Sequence, residues 1–340
     1  MTRQVNFGLW YDFCNPARWR VPFTQLYEQT LEQIVWAETL GFDSVWLTEH
    51  HFCDDGYTPS PLVIAAAIGA RTKRMRIGTN LVQIPLHDPI RLAEDAATLS
   101  LLTNGRFDLG VAIGYRALEF AAFKRRLNHR PSLLEESVEI LRRAWRGEAI
   151  NFNGKRFQVG DLRITPAPEQ APRILLGGMA QPAIERAARI GDGFLSTGGI
   201  GHDIYAAATR QLNRDAARSV ICAGDWSIVS PDPEREAALI GDHVLYQTNE
   251  YVAWGAFGPP DQVPLFPDAA AALRDGLYQL STPPQAVERL SAMLEQYPQI
   301  VDVHFWAQFP GEAVSSGSRR IECLATQVLP QLRAALARQG

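Results

Sequence analysis

MRIGTNLVQIPLHDPIRLAEDAATLSLLTNGRFDLGVAIG, residues 75–114, sets two short apolar runs on either side of one amphipathic segment. The runs 75–85 and 107–114 have strand length. The segment 88–105 opens on Asp88-Pro89, repeats its apolar residues at helical spacing and stops at Asn104-Gly105. Two strands joined by a helix of this length can only pair in parallel, because a hairpin needs a short turn. The same alternation extends in both directions. Strands are predicted at 5–12, 43–50, 172–178, 192–198, 225–230 and 299–309. Helices are predicted at 23–41, 60–73, 132–147, 181–191, 203–219, 283–297 and 319–339, the last bent at Pro330.

Eight strands each followed by a helix predict an α/β fold, the (β/α)8 TIM barrel, as one domain over residues 1–340. A doubly wound dinucleotide-binding sheet fits less well. Its G-x-G-x-x-G turn is missing after the first strand, where the chain reads YDFCNPARW. Two connections exceed the pattern and predict insertions after strands four and seven. Residues 115–171 hold a hairpin-like INFNGKRFQV with its turn at Asn153-Gly154. Residues 231–282 are rich in proline, glycine and aromatics. Loops after strands face the catalytic end of a barrel, so this second insertion is a candidate lid, with Trp254, Phe257 and Phe266 closing it.

Composition excludes several classes of function. Of 340 residues, 46% are hydrophobic and 21% charged, with a net charge of −4. The arginines sit in helix-like stretches such as ILRRAWR, which reads as solvated helix faces and not as a nucleic-acid surface. No apolar run reaches membrane-spanning length, and the N-terminus carries no signal-like apolar region. The four scattered cysteines lack zinc or C-x-x-C spacing. A reduced, cytoplasmic protein without membrane or nucleic-acid partners is expected.

Three features carry chemistry. WLTEHHF, residues 46–52, places Glu49, His50 and His51 at the end of the second strand. Regular alternation would put Thr48 and His50 on one face, and Glu49 and His51 on the other. That spacing argues against a shared metal, and no metal is predicted. A structural cap and an acid–base site both remain open. RILLGGMAQPA, residues 173–183, ends a strand in Gly177-Gly178 just before a helix, which suits a phosphate or simply tight packing. Aromatic residues cluster near strand ends, among them Trp10, Tyr115 and Trp306. They read as core, or as the lining for a flat cofactor and an apolar substrate.

FGLWYD, GFDSVWLTEHHF, the 76–120 segment ending GRFDLGVAIGYRALEF, and PRILLGGMAQPAIERAARIGDGFLS together make the chain similar to the bacterial luciferase-like family of flavin-dependent monooxygenases. The resemblance runs over about residues 5–198. It implies a barrel that takes reduced FMN as a diffusible substrate from a separate flavin reductase. Dioxygen then adds to give a flavin hydroperoxide that oxidises a small, mainly apolar organic molecule. It implies His50 as the base beside the flavin, with Glu49 and His51 in support. Cofactor contacts are implied at Asn80, Leu81, Gly114, Arg130, Gly177, Gly178 and Met179, with a cis peptide near Asn80-Leu81. A homodimer is implied as well. The family also holds deazaflavin-dependent oxidoreductases and non-catalytic flavin-binding barrels, which are the alternatives. One departure is evident. Where luciferase ends its fourth strand in Cys-Arg-Gly, this chain has Ala112-Ile113-Gly114, so one phosphate contact is expected to be either lost or replaced, with Arg116 the candidate replacement.

Overall fold

The computed structural model describes residues 3–338. Eight parallel strands form the barrel: Asn6–Tyr11, Ser44–Leu47, Arg76–Thr79, Phe107–Ala112, Arg173–Gly177, Gly193–Thr197, Val220–Asp225 and Ile300–Trp306. Each pairs with its sequence neighbour, and Asn6–Tyr11 pairs with Ile300–Trp306. The seam between strands three and four closes the ring through Ile77 opposite Phe107 and Gly78 opposite Asp108. Strand three then breaks at a cis peptide between Asn80 and Leu81 and resumes as Val82–Gln83 beside strand four.

The apolar face of each helix packs on the outside of the strands. Ile77, Leu109, Ile174 and Phe194 meet Ile64, Leu92, Leu134 and Ile184 there, all almost fully buried. Inside the barrel, bulky and small residues alternate. A side chain on Gly78 would run into the Trp46 ring, so the glycine is what lets Trp46 fill the lumen. At the N-terminal end, Asp108 accepts from Arg76 and Arg173 at 2.6–3.0 Å, which ties strands three, four and five together. That end is stapled shut, and chemistry is left to the other.

One strand prediction is corrected. The seventh barrel strand is Val220–Asp225, not 225–230. The preceding helix stops at Gln211, with Asn213 in a left-handed conformation, and this frees SVICAGD to extend. The segment DWSIVS supplies instead Ser227–Val229, which pairs outside the barrel with Gln279–Ser281. Residues 150–162 form the expected antiparallel hairpin. The insertion after strand seven is more regular than its composition suggests. It opens with a 22-residue helix, Pro233–Trp254, capped by Asp232 at its start and ended by Gly255 with φ +87°. A short helix, Ala269–Asp275, follows. The last helical segment is interrupted by a π-turn over Leu324–Val328, ahead of Pro330. Its predicted residue 339 lies outside the described residues. No described helix is long and apolar enough to cross a membrane.

Two ties fix the long helix to the barrel. At its first turn, Glu236 meets Arg320, which also binds Glu312 in the loop after strand eight. The contacts are 2.5–2.6 Å and all three side chains are buried. Along its length, Gln247 donates to Asp12 at 2.7 Å and Tyr251 meets Tyr57 at 2.8 Å.

Candidate active site

The C-terminal ends of the strands surround a cavity of about 370 Å3, lined by residues from Trp10 to Phe257. Glu49, His50, Asn80, Leu81, Gly114, Tyr115, Arg130, Gly177, Gly178, Met179 and Trp10 all line it. Strand two ends at Leu47, so the alternation assumed beyond that point fails. Glu49 and His50 therefore both border the cavity. His51 does not: it turns outward and packs edge-on against Phe123 at 4.8 Å. Trp306 is also displaced from its expected place. It stacks on the Trp10 ring at 4.4 Å, and only Trp10 of the pair lines the cavity.

His50 sits at the centre of a hydrogen-bonded chain. Its Nδ1 lies 2.9 Å from Glu119 Oε1, and its Nε2 lies 3.1 Å from the Tyr115 hydroxyl. Glu119 is fully buried on the short helix Ala117–Ala122. It also accepts from the His51 amide at 2.8 Å and from the Gln83 amide nitrogen at 2.7 Å. Burial alone would raise its pKa. The bond and charge of His50, with these two N–H donors, outweigh burial and hold the carboxyl below the ordinary range. Glu119 thus stays ionised and accepts the hydrogen on His50 Nδ1, which turns Nε2 toward Tyr115. Burial pushes the Tyr115 phenol up, so it keeps its proton and donates to Nε2. Tyr57 and Trp254 close over the imidazole at 4.9 and 4.8 Å between ring centres.

Glu49 has a different task. Its carboxylate lies 2.8 Å from His87 Nε2 and 3.5 Å from His51 Nε2, and it accepts from the Gln83 backbone. Burial opposes ionisation, but the two histidines dominate and hold Glu49 far below its usual range. The same carboxylate raises the pKa of His87 against the effect of its burial. The signs define a window. The Glu49 contribution is present above its ordinary pKa of 4.5 and is lost as pH falls. The His87 contribution is present below 6.5 and is lost as pH rises. The melting-temperature gap between wild type and His87→Gln should therefore be widest between these values and narrow on both sides. A gap independent of pH would remove the ion pair from the stability account.

Beneath the cis peptide runs a third carboxylate–imidazole pair. Asp302 binds His304 Nδ1 at 2.9 Å, and His304 Nε2 meets the Asn80 side-chain nitrogen, also at 2.9 Å. Trp46 stacks on His304 and donates to Asp302 at 3.0 Å. This chain crosses the lumen from strand eight to strand three and sets the orientation of the Asn80 amide. Arg116 is not placed for a phosphate. It binds the His51 carbonyl at 2.5 Å and lies over the Trp254 ring at 4.8 Å. Arg130 is the one Lys or Arg among the described residues that line the cavity, anchored to the Gly114 carbonyl at 2.6 Å. Phe257 reaches the cavity; Phe266 does not, and its backbone instead pairs with the Asn249 side chain.

The chain belongs to the luciferase-like monooxygenase family, whose model matches residues 6–240. A monooxygenase from Streptomyces bottropensis superposes with a TM-score of 0.80 at 25% identity, covering 96% of this chain and 99% of that one. An F420-dependent glucose-6-phosphate dehydrogenase from Amycolatopsis mediterranei is 34% identical over 182 residues, 52% of this chain and 55% of that protein. The corresponding dehydrogenase from Mycobacterium avium is 31% identical over 236 residues, 62% of this chain and 67% of that protein. The chain thus spans about half the length of most of the curated relatives it matches.

A flavin or deazaflavin fits the residues present. Gly178 and the helix Gln181–Ile190, whose N-terminus has no side-chain cap and no acid in its first turn, stand with Arg130 at one end of the cavity, as a phosphate requires. A side chain on Gly177 would collide with Leu81, so the floor beside the cis peptide stays flat. Gln83, whose Oε1 is buried and has no donor among the described residues, lines the same cavity.

Proposed function

We propose that this protein is a flavin-dependent monooxygenase using reduced FMN and dioxygen on a small, mainly apolar organic substrate. The observation that carries the reading is His50, fixed between Glu119 and Tyr115 in an aromatic chamber that also holds a phosphate cradle. Arg130, Gly178 and Met179 would hold the phosphate, and Asn80 and Leu81 the ring. Bound reduced flavin supplies the electrons with which dioxygen is activated. His50 takes a proton at Nε2, and Glu119 stabilises the resulting imidazolium. Trp254 and Phe257 keep water from the chamber, so the helix Pro233–Trp254 and the turn after it serve as the lid. Reduced flavin would come from a separate reductase. Val63, Leu101 and Leu102, exposed on neighbouring helices, offer the face for a homodimer.

The names of the curated relatives favour a second reading, a deazaflavin-dependent dehydrogenase on the same barrel. A phosphorylated sugar, however, would find no basic side chain in the chamber beyond Arg130. Anaerobic titration with reduced FMN and with reduced F420, followed by isotope-labelled dioxygen and a panel of neutral aldehydes and ketones, separates the two. Tight FMN binding and label in the product are expected. Hydride transfer from F420 without oxygen uptake would overturn the proposal, and so would binding of either cofactor with no turnover.

A further inference from the structure

Both ring nitrogens of His50 are occupied from within the protein. Nδ1 lies 2.9 Å from Glu119 Oε1, and Nε2 lies 3.1 Å from the Tyr115 hydroxyl. The ring faces are covered by Tyr57 and Trp254, at 4.9 and 4.8 Å between ring centres. Only 6% of the residue is exposed. An imidazole nitrogen makes one hydrogen bond, as donor or as acceptor. His50 therefore borders the cavity without a free nitrogen to offer a molecule bound there.

Tyr115 is placed differently. It lines the same cavity, on the connection between strand four and the helix Ala117–Ala122. Its hydroxyl bonds to no group but His50 among the described residues. A phenol oxygen can donate one hydrogen and accept another. One bonding position is thus left for an occupant of the cavity, whatever the charge on His50. Where Nε2 bears no hydrogen, Tyr115 donates to it and can accept from the occupant. Where Nε2 bears one, Tyr115 accepts it and can donate to the occupant.

We propose that Tyr115 is the catalytic residue that meets the reacting atoms, and that His50 exchanges protons with them through it. An O–H or N–H group of the reacting molecules gives its proton to the Tyr115 oxygen as the Tyr115 proton passes to His50 Nε2. The result is the conjugate base of that group, a neutral phenol and an imidazolium paired with Glu119. The reverse sequence returns a proton. Burial pushes the phenol up, so the two transfers are coupled and no free phenolate accumulates. The inference rests on the oxidoreductase reading above but not on which of the two cofactors is used.

Tyr115→Phe keeps the ring and removes the relay. With reduced FMN and the most active member of the aldehyde and ketone panel, kcat should fall by about 10²-fold or more. KM and the dissociation constant for reduced FMN should stay within a few-fold. Adding His50→Gln to this variant should slow it no further, because two members of one path fail together. Placing 3-fluorotyrosine at 115, a more acidic phenol of nearly the same shape, should restore turnover and shift its pH profile, which a packing role would not. In the cofactor-free protein, the ¹⁵N resonance of His50 Nε2 should move on Tyr115→Phe, a readout that needs no turnover. A Tyr115→Phe variant within a few-fold of wild type would overturn the proposal. So would effects that multiply in the double variant, or an unmoved Nε2 resonance. Turnover with reduced F420 and not with FMN, with the double variant still no slower than the singles, would sink the monooxygenase reading and leave the relay standing.

Discussion

His50→Ala should lower turnover by about 10²–10⁴-fold, the usual range for removing a general acid–base group, while the dissociation constant for reduced FMN changes only a few-fold. The reasoning is positional. His50 lies in the chamber with its Nε2 toward Tyr115, whereas the proposed phosphate contacts are Arg130 and Gly178. His50→Gln sharpens the test. Glutamine offers Glu119 a donor but takes no proton near neutral pH, so it should be as slow as alanine. Stopped-flow turnover and anaerobic flavin titration on both variants check this. A glutamine variant with near wild-type turnover would reduce His50 to a structural cap.

Arg320→Met should destabilise the fold by about 3–5 kcal/mol, measured from denaturant midpoints. Among the described residues the guanidinium is the only counter-charge in contact with two buried carboxylates, Glu236 and Glu312. Burial opposes ionisation of Glu312, and Arg320 is what holds its carboxyl below the ordinary range. Removing the cation leaves both acids charged and buried, or forces them to take protons. Replacing all three residues with apolar ones of similar size should recover most of the loss, since the desolvation of the cluster then disappears with its attraction. If the triple replacement is no better than Arg320→Met, the loss comes from packing against Phe309, which lies 5.1 Å beneath the guanidinium.

The strand and helix order could be read from the chain because period and punctuation are local properties. So could the strand that ends in Gly177-Gly178 just before a helix. What escaped depends on how distant residues meet. Glu119 sits in ALEFAA, where an acid looks like ordinary solvated helix surface; only the fold brings it under His50. His304 and Asp302 alternate within an apolar strand and look like isolated polar residues until Asn80 arrives from across the barrel. The alternation argument failed at Thr48 because it extends only as far as the strand does. Trp226 lay inside a segment assigned to the wrong strand, and its place at the cavity wall was lost with that register.

The long helix of the second insertion has a mechanical meaning. Its 22 residues make a rod of roughly 33 Å. One end is pinned by the Glu236–Arg320–Glu312 cluster, and the other carries Trp254 against His50. Between them the helix is held by hydrogen bonds, by the exposed Arg18–Asp242 ion pair and by the buried side chains of Ile240 and Val244. A rigid tilt of about 5° about the ion cluster would swing Trp254 by roughly 3 Å, given the length of the rod. Access to the chamber would then be governed less by the loop that follows the helix than by the stiffness of one buried arginine's grip at its far end.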